Sequence, residues 1–160
     1  MTLPAGYSIR PATRADAGTL AHFRAAMFGD FGIEPEEGWE AFWTEYFQQA
    51  LDDGRYWAVL AVQSAQAVAC AGLMFLSVVP VPSDPSGIRA QVQGVYTLPG
   101  HRELGLGAAL THEVLREAQA RGLKSATLNA SEMGAGLYHR LGFTPAKAPE
   151  LRLSLVGAVL

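Results

Sequence analysis

The sequence predicts an α/β fold with a mixed central sheet flanked by about four helices, and three observations support this class. Short segments that alternate apolar and polar residues, typical of half-buried strands, recur from residues 7–10 to residues 91–98. Between them lie segments with apolar residues at three- and four-residue spacing, as in amphipathic helices. The predicted order, β-α-α-β-β-β-α-β-α-β-β, is that of helices packed against one mixed sheet.

The first part of the chain predicts one strand and two helices. Residues 7–10 alternate apolar and polar side chains, as a half-buried strand does. A capping-box pattern at residues 13–16 predicts a helix that runs to about Phe28. Pro35 favours a first helical turn, and an apolar stripe at helical spacing follows it. A second helix is therefore expected from Pro35 to the Asp-Asp-Gly sequence at residues 52–54.

The rest of the chain predicts a hairpin, an exposed loop and the remaining elements. Residues 57–62 and 68–79 are runs of strand-forming residues separated by a short polar turn, which predicts a hairpin. Three prolines within residues 79–87 remove sheet hydrogen-bond donors and predict an exposed loop. Further strands are expected over residues 91–98, 125–130, 143–147 and 151–156, and further helices over residues 105–121 and 132–141.

Composition limits the classes of protein to which the chain can belong. With 160 residues, 49% of them apolar, one domain over residues 1–160 is expected. The net charge of −3 argues against a nucleic-acid binder. Cys70, the single cysteine, forms no internal disulfide and no zinc site alone, and no other residues have metal spacing. Because no residues have metal spacing, we expect no metal. Because there is no apolar run of ~18 residues and no signal-peptide pattern, we expect a cytoplasmic protein with no membrane partner.

The segment most informative about function covers residues 97–110, where a strand leads through a glycine-containing turn into an apolar helix. Gly105 and Gly107 leave the backbone N–H groups at the helix start open to an anion. Arg102 adds a positive charge, so a diphosphate is the expected ligand. The alternative is a tight connection whose glycines serve packing only. The segment lacks the lysine of a Walker loop and the last small residue of the dinucleotide fingerprint.

Arg102, Gly105 and Gly107 also match, position by position, the Gln/Arg-x-x-Gly-x-Gly/Ala signature for acetyl-CoA of the GCN5-related N-acetyltransferase (GNAT) family. Residues 7–16 resemble the opening strand and helix start of that family. Residues 128–143, which end in Tyr-x-x-x-Gly-Phe, resemble its fifth strand and fourth helix. The three motifs follow one another in the family's order, so the resemblance covers nearly the whole chain.

This resemblance implies transfer of an acetyl group from acetyl-CoA directly to a primary amine. It implies that the fourth and fifth strands splay apart around the pantetheine arm and that a fourth-strand N–H polarises the acetyl carbonyl. It also implies that Tyr138 protonates the departing thiolate, where the alternative is an ordinary packed helix residue. Ser131 either contacts CoA or caps the following helix. The residues implied to bind acetyl-CoA are Val95, Tyr96, Thr97, Arg102, Glu103, Leu104, Gly105, Leu106, Gly107, Ala108 and Ser131.

The catalytic base stays unassigned. Neither residues 91–96 nor residues 125–130 include a carboxylate that could deprotonate the amine. A non-catalytic acyl-CoA-binding or regulatory domain of the same fold is therefore one alternative function. An unrelated nucleotide-binding α/β protein is another.

The acceptor is expected to be a small-molecule or peptide amine. Residues 1–60 hold nine acids and four arginines, a net charge of −5. In the family this part of the chain forms much of the acceptor side, so the charge favours a basic amine. Asp30 and Glu34 are the candidate residues to bind it. Homodimers are common in the family, and a homodimer is therefore a candidate assembly.

Overall fold

The computed structural model describes residues 3–148, 150–154 and 156 of the chain. It divides into two compact units, of which the first ends at Asn129 and the second begins at Ala130. The expectation of one domain stays a prediction. The described strands are β1 (Tyr7–Pro11), β2 (Tyr56–Gln63), β3 (Gln66–Ser77), β4 (Ile88–Thr97) and β5 (Ala126–Thr127), and the described helices are α1 (Ala17–Gly29), α2 (Trp39–Asp52), α3 (Leu106–Ala120) and α4 (Glu132–Arg140).

The strands of the first unit form one mixed sheet in the order β1-β2-β3-β4-β5. Neighbours from β1 to β4 are antiparallel, whereas β4 and β5 are parallel. Pairing between β4 and β5 is limited to Ala90 with Ala126 and Gln91 with Thr127, although β4 continues to Thr97. The predicted fold class, a mixed sheet with about four helices, is confirmed.

Helices cover both faces of this sheet. Residues 58–61 of β2 are all buried, and this requires packing on both faces because side chains alternate along a strand. α1 and α2 pack against the face that carries Ala58 and Leu60, with Phe47 in the same core layer. α3 packs against β2, β3 and β4, with Leu110 fully buried. α3 therefore covers the face opposite α1 and α2.

β4 contains a β-bulge at Gly94 and Val95, which stand opposite a single residue of β3. Gly94 has a φ of +61°, a left-handed conformation that favours glycine. The Cys70 thiol donates a 3.0 Å hydrogen bond to the Gly94 carbonyl oxygen. A bulge redirects backbone groups, so the middle of β4 presents them differently from a regular strand.

Two elements are shorter than predicted by more than two residues. The second helix begins at Trp39 and not at Pro35, because Gly38 at its N-terminus has a φ of +81° and interrupts the helical geometry. β5 has two residues instead of the six over residues 125–130, because only these two pair with β4. Among the helices of the described residues, none has the length and apolar character needed to cross a membrane.

The prediction of two closing strands, over residues 143–147 and 151–156, is wrong for the residues that the structure describes. Residues 143–148, 150–154 and 156 include no strand, and residue 155 of the predicted strand 151–156 lies outside the described chain. Leu151 and Leu153 are exposed. Alternating apolar residues form a strand only where the backbone also finds a hydrogen-bonding partner.

Candidate functional site

The turn before α3 presents backbone donors at a helix N-terminus. Gly105 precedes the helix with a φ of +78°, and the Ala109 N–H donates the first helical hydrogen bond to the Gly105 carbonyl at 3.0 Å. The N–H groups of residues 106–108 therefore have no helical acceptor and are available to an anion. Glu103 also has a positive φ, of 63°, and helps to form the turn.

The space in front of this turn is open. A Cβ atom built on Gly105 would have no neighbour within 4 Å. The Leu106 side chain is buried in the core, whereas Glu103, Leu104 and Gly105 are exposed, so solvent reaches the turn. This geometry fits a diphosphate held by backbone N–H groups, as the glycine pattern predicts.

Arg102 joins three predicted site residues. Its Nε donates to the Thr97 carbonyl oxygen at 3.0 Å, and its guanidinium carbon lies 5.7 Å from the centroid of the Tyr96 ring. Its Nη2 donates to Asp30 Oδ2 at 2.5 Å. The structure thus pairs a predicted CoA-binding residue with a predicted acceptor-binding residue. Glu34 is exposed in the loop between α1 and α2.

Among the described residues, no strand pairs with the end of β4 on the side of β5, beyond Gln91. The Leu98 N–H donates to the Val68 carbonyl at 2.9 Å, towards β3. Because backbone groups alternate along a strand, the N–H of Thr97 points to the opposite edge. The Tyr96 side chain is buried and packs on Phe23, with ring centroids 5.7 Å apart. By the same alternation the Tyr96 backbone groups face its β3 partner Cys70, so the structure does not present Tyr96 to a ligand at this edge.

In the second unit, Tyr138 is held by α4 and the turn that follows it. Ser131 caps the helix, because its Oγ accepts a 3.2 Å hydrogen bond from the Gly134 N–H. A Cβ on Gly134 would lie 2.9 Å from Tyr138 Cε2, so this glycine makes room for the ring. The ring meets Phe143 edge-on at 5.9 Å. Partial burial raises the pKa of the Tyr138 phenol, which therefore keeps its proton at neutral pH.

Comparison with known proteins identifies the family. The sequence model of the Acetyltransferase (GNAT) family matches residues 22–143, well over half of the chain. The chain belongs to the GNAT acetyltransferase family. The predicted resemblance is confirmed, and the alternative of an unrelated nucleotide-binding protein is wrong. No curated protein sequence is significantly similar to this GNAT chain.

Solved structures agree with this assignment. A predicted acetyltransferase of Clostridium acetobutylicum, solved with acetyl-CoA, has a TM-score of 0.88 and 26% identity, covering 95% of this chain and 98% of the other. A GCN5-related N-acetyltransferase of Ralstonia eutropha JMP134 has a TM-score of 0.79 and 30% identity, covering 92% and 99%. A ribosomal-protein-alanine N-acetyltransferase of Brucella melitensis, at 21% identity and a TM-score of 0.66 over 93% and 99%, shares the fold.

The GNAT domain also contains a cavity that the sequence analysis missed. It lies between α1, α2 and strands β2 to β4, and the bulge residue Gly94 lines it. Two signals could have indicated it, namely Gly72 and Gly94 inside strand patterns, since such glycines mark bulges and close approaches. A Cβ on Gly72 would lie 1.7 Å from the Tyr56 hydroxyl oxygen, so Tyr56 occupies the space beside this glycine.

Proposed function

We propose that this GNAT-family protein transfers the acetyl group of acetyl-CoA directly to the nitrogen of a primary amine, with both substrates bound together. The observation that carries the proposal is the open helix N-terminus at Gly105, which follows β4 in the chain; among the described residues, no strand pairs with β4 beyond Gln91 on the side of β5. The family assignment and the acetyl-CoA in the Clostridium structure support the same ligand. The acceptor is a small-molecule or peptide amine, and the site of action is the cytoplasm.

The chain has groups suited to each part of the CoA molecule. The N–H groups of residues 106–108 would bind the diphosphate, with Arg102 as a nearby positive charge. The backbone of Val95 and Thr97 would pair with the pantetheine arm along the free edge of β4. Glu103 and Leu104 would contribute through their backbone, whereas the backbone of Tyr96 faces β3 and a contact of Tyr96 with CoA stays a prediction. Ser131 acts as a helix cap in the structure, and a contact with CoA stays a prediction.

Acetyl-CoA supplies an acetyl group activated as a thioester. In the transfer, the amine nitrogen bonds to the acetyl carbon while the carbon–sulfur bond breaks, so nitrogen loses one proton and sulfur gains one. An N–H at the Gly94–Val95 bulge would stabilise negative charge on the acetyl oxygen. Tyr138 would donate its proton to sulfur, because a phenol with a raised pKa is still protonated when a thiolate of pKa ~8.5 departs.

The alternative function is a non-catalytic acyl-CoA-binding or regulatory domain of the same fold. It is favoured by one observation: the described residues that line the cavity include no carboxylate to act as a base. Under the proposed function, the amine would lose its proton to water. An assay for free thiol separates the two alternatives, because only an enzyme releases CoA when an amine is added.

The assay combines acetyl-CoA, a panel of amines and a chromogenic thiol reagent. Cys70 contributes little background, since it is 3% exposed and burial raises the pKa of its thiol to about 12. Amine-dependent thiol release is the expected result, and mass spectrometry should detect an acetyl group on the amine. CoA binding without thiol release for every amine would instead support the non-catalytic alternative.

A further inference from the structure

The cavity between α1, α2 and the sheet has the size of a small ligand. Its volume is about 220 Å³, below the ~300–1,000 Å³ typical of pockets for drug-sized molecules. Most of the lining is aromatic or aliphatic, and α2 alone contributes four aromatic side chains. One of them, Phe42, is 67% exposed, so part of this apolar lining is open to solvent.

This cavity adjoins the bulge to which the proposed function assigns the acetyl carbonyl. Gln93 and Gly94 of β4 line it, and the Gly94 carbonyl is held by the Cys70 thiol at 3.0 Å. The Tyr56 hydroxyl lies close by, 3.4 Å from the position that a Cβ on Gly94 would take. Burial raises the pKa of Tyr56, so its hydroxyl is a neutral hydrogen-bonding group. Under the proposed function, an amine bound beside Gly94 would therefore lie next to the bulge to which the acetyl carbonyl is assigned.

The electrostatics of the cavity are positive. Arg24 is the only charged residue among the described residues that line it. Its guanidinium carbon lies 5.0 Å from the centroid of the Phe28 ring and 5.5 Å from that of the Trp43 ring. Across the described chain, no carboxylate lies within ion-pair distance of Arg24. Aromatic stacking leaves the N–H donors of a guanidinium free to bind a carboxylate bidentately.

The acidic residues that favoured a basic acceptor lie elsewhere. No Asp or Glu is among the described residues that line the cavity. Four of the nine acids in residues 1–60 form ion pairs with arginines outside it, namely Asp16, Asp30, Asp52 and Asp53. The net charge of this part of the chain therefore does not describe the electrostatics of the cavity.

We propose that the acceptor is a small primary amine that carries both a carboxylate and an apolar side group, as a hydrophobic amino acid does. Arg24 binds the carboxylate, the aromatic side chains of α2 cover the apolar group, and the amine faces the β4 bulge. This inference rests on the proposed function for its acetyl transfer. It replaces the basic acceptor with one that is complementary to Arg24.

The experiment compares L-phenylalanine and L-leucine with their carboxamides and with phenethylamine, which lacks the carboxylate. Calorimetry measures the binding of each to the CoA-saturated protein, and the thiol assay measures turnover. We expect the amino acids to bind at least ~10-fold more tightly than the amides or phenethylamine, because a charge-assisted bidentate contact is lost in both. Arg24→Gln should abolish that preference, and Arg24→Lys should retain part of it. Arg116→Gln, which removes an exposed arginine of α3, is the matched control.

The outcomes separate this inference from the proposed function. The comparison of amino acids with their amides uses the wild-type protein alone. It therefore tests the inference even if Arg24→Gln fails to fold. Equal or tighter binding of the amides or phenethylamine would overturn the inference, as would no detectable binding of the amino acids. Tight, Arg24-dependent binding without thiol release would overturn the proposed function and leave the ligand class in place. Thiol release with basic amines only would overturn the inference about the acceptor and support the proposed acetyl transfer.

Discussion

Arg102 Nη2 lies 2.5 Å from Asp30 Oδ2, and this ion pair joins the turn before α3 to the C-terminal end of α1. The two side chains are 38% and 32% exposed, so solvent reaches both of them. A diphosphate at the turn and the carboxylate of Asp30 are both anions that would bind the same guanidinium. Under the proposed function, Asp30 therefore competes with the diphosphate of CoA for Arg102.

Replacing Asp30 by Asn should tighten CoA binding. The substitution removes the competing carboxylate and its repulsion of the diphosphate, and exposed ion pairs are worth ~0.2–1 kcal/mol, so the Kd should fall up to ~5-fold. Titration of CoA by calorimetry at low and high salt provides the measurement, and the difference should shrink at high salt. Weaker CoA binding would mean that Asp30 instead orients Arg102 for the ligand.

Replacing Gly107 by Val should weaken CoA binding at least ~10-fold, which corresponds to ~1.4 kcal/mol. A branched side chain in the first turn of α3 would obstruct the approach of a phosphate to the backbone. The dissociation constant of CoA is the readout. Ala120→Val, at the exposed C-terminal end of the same helix, is the matched control and should leave it unchanged. An unaltered Kd in a folded Gly107→Val protein would exclude the turn as the diphosphate site.

Replacing Tyr138 by Phe should reduce kcat by about 10²–10⁴-fold, the usual contribution of a positioned general acid. The ring and its edge-on contact with Phe143 remain, so CoA binding and the thermal midpoint should be close to those of the wild type. Because burial raises the pKa of Tyr138 above its ordinary ~10, the wild type should lose no rate from this group below about pH 10. If kcat of Tyr138→Phe stays within two- or three-fold of the wild type, water and not Tyr138 donates the proton to the thiolate.

The pH dependence of kcat/KM should follow the acceptor. The described residues that line the cavity include no carboxylate that could act as a base. Under the proposed function, only the unprotonated fraction of the amine therefore reacts. For two acceptors whose amine pKa values differ by about two units, the midpoints of the rising limb should differ by about the same amount. Identical midpoints for both amines would reveal a base in the protein.

Asp16 should stabilise the fold in a pH-dependent way. The Arg10 guanidinium donates to both Asp16 carboxylate oxygens, at 2.8 and 2.7 Å, and holds the pKa of Asp16 well below its usual value of ~3.9. A lowered pKa in the folded state contributes stability that is complete above the unfolded pKa and is lost as the pH falls below it. Asp16→Asn should cost about 1–2 kcal/mol at pH 7.

Urea denaturation at several pH values provides the measurement. The difference in the free energy of unfolding between the wild type and Asp16→Asn should be constant from about pH 5 to pH 8 and should shrink below about pH 4. Asp53, which pairs with Arg55 on an exposed turn, serves as a control, and Asp53→Asn should have little effect. A difference that persists unchanged at pH 3 would show that the carboxylate charge of Asp16 is not the cause.

The sequence by itself determined the family, the order of the elements up to α4 and the glycine turn. These features have local causes: α3 follows from apolar spacing within one segment, and Gly105 adopts the positive φ that glycine favours. Predictions that depended on a distant partner were less accurate. The residues predicted as β5 were strand-forming over six positions, yet only two of them pair with β4.

Only the tertiary structure decided which charges and rings meet around the candidate acceptor cavity. Arg24, Tyr56 and Gly94 come from a helix and two strands, and no local pattern relates them. The acidic excess of the first sixty residues favours a basic acceptor, which stays a prediction, and the structure adds that Asp30 pairs with Arg102 and that no acid is among the described residues lining the cavity. Charge adds up along a sequence irrespective of position, whereas the field at a site depends on distance, and folding sets those distances.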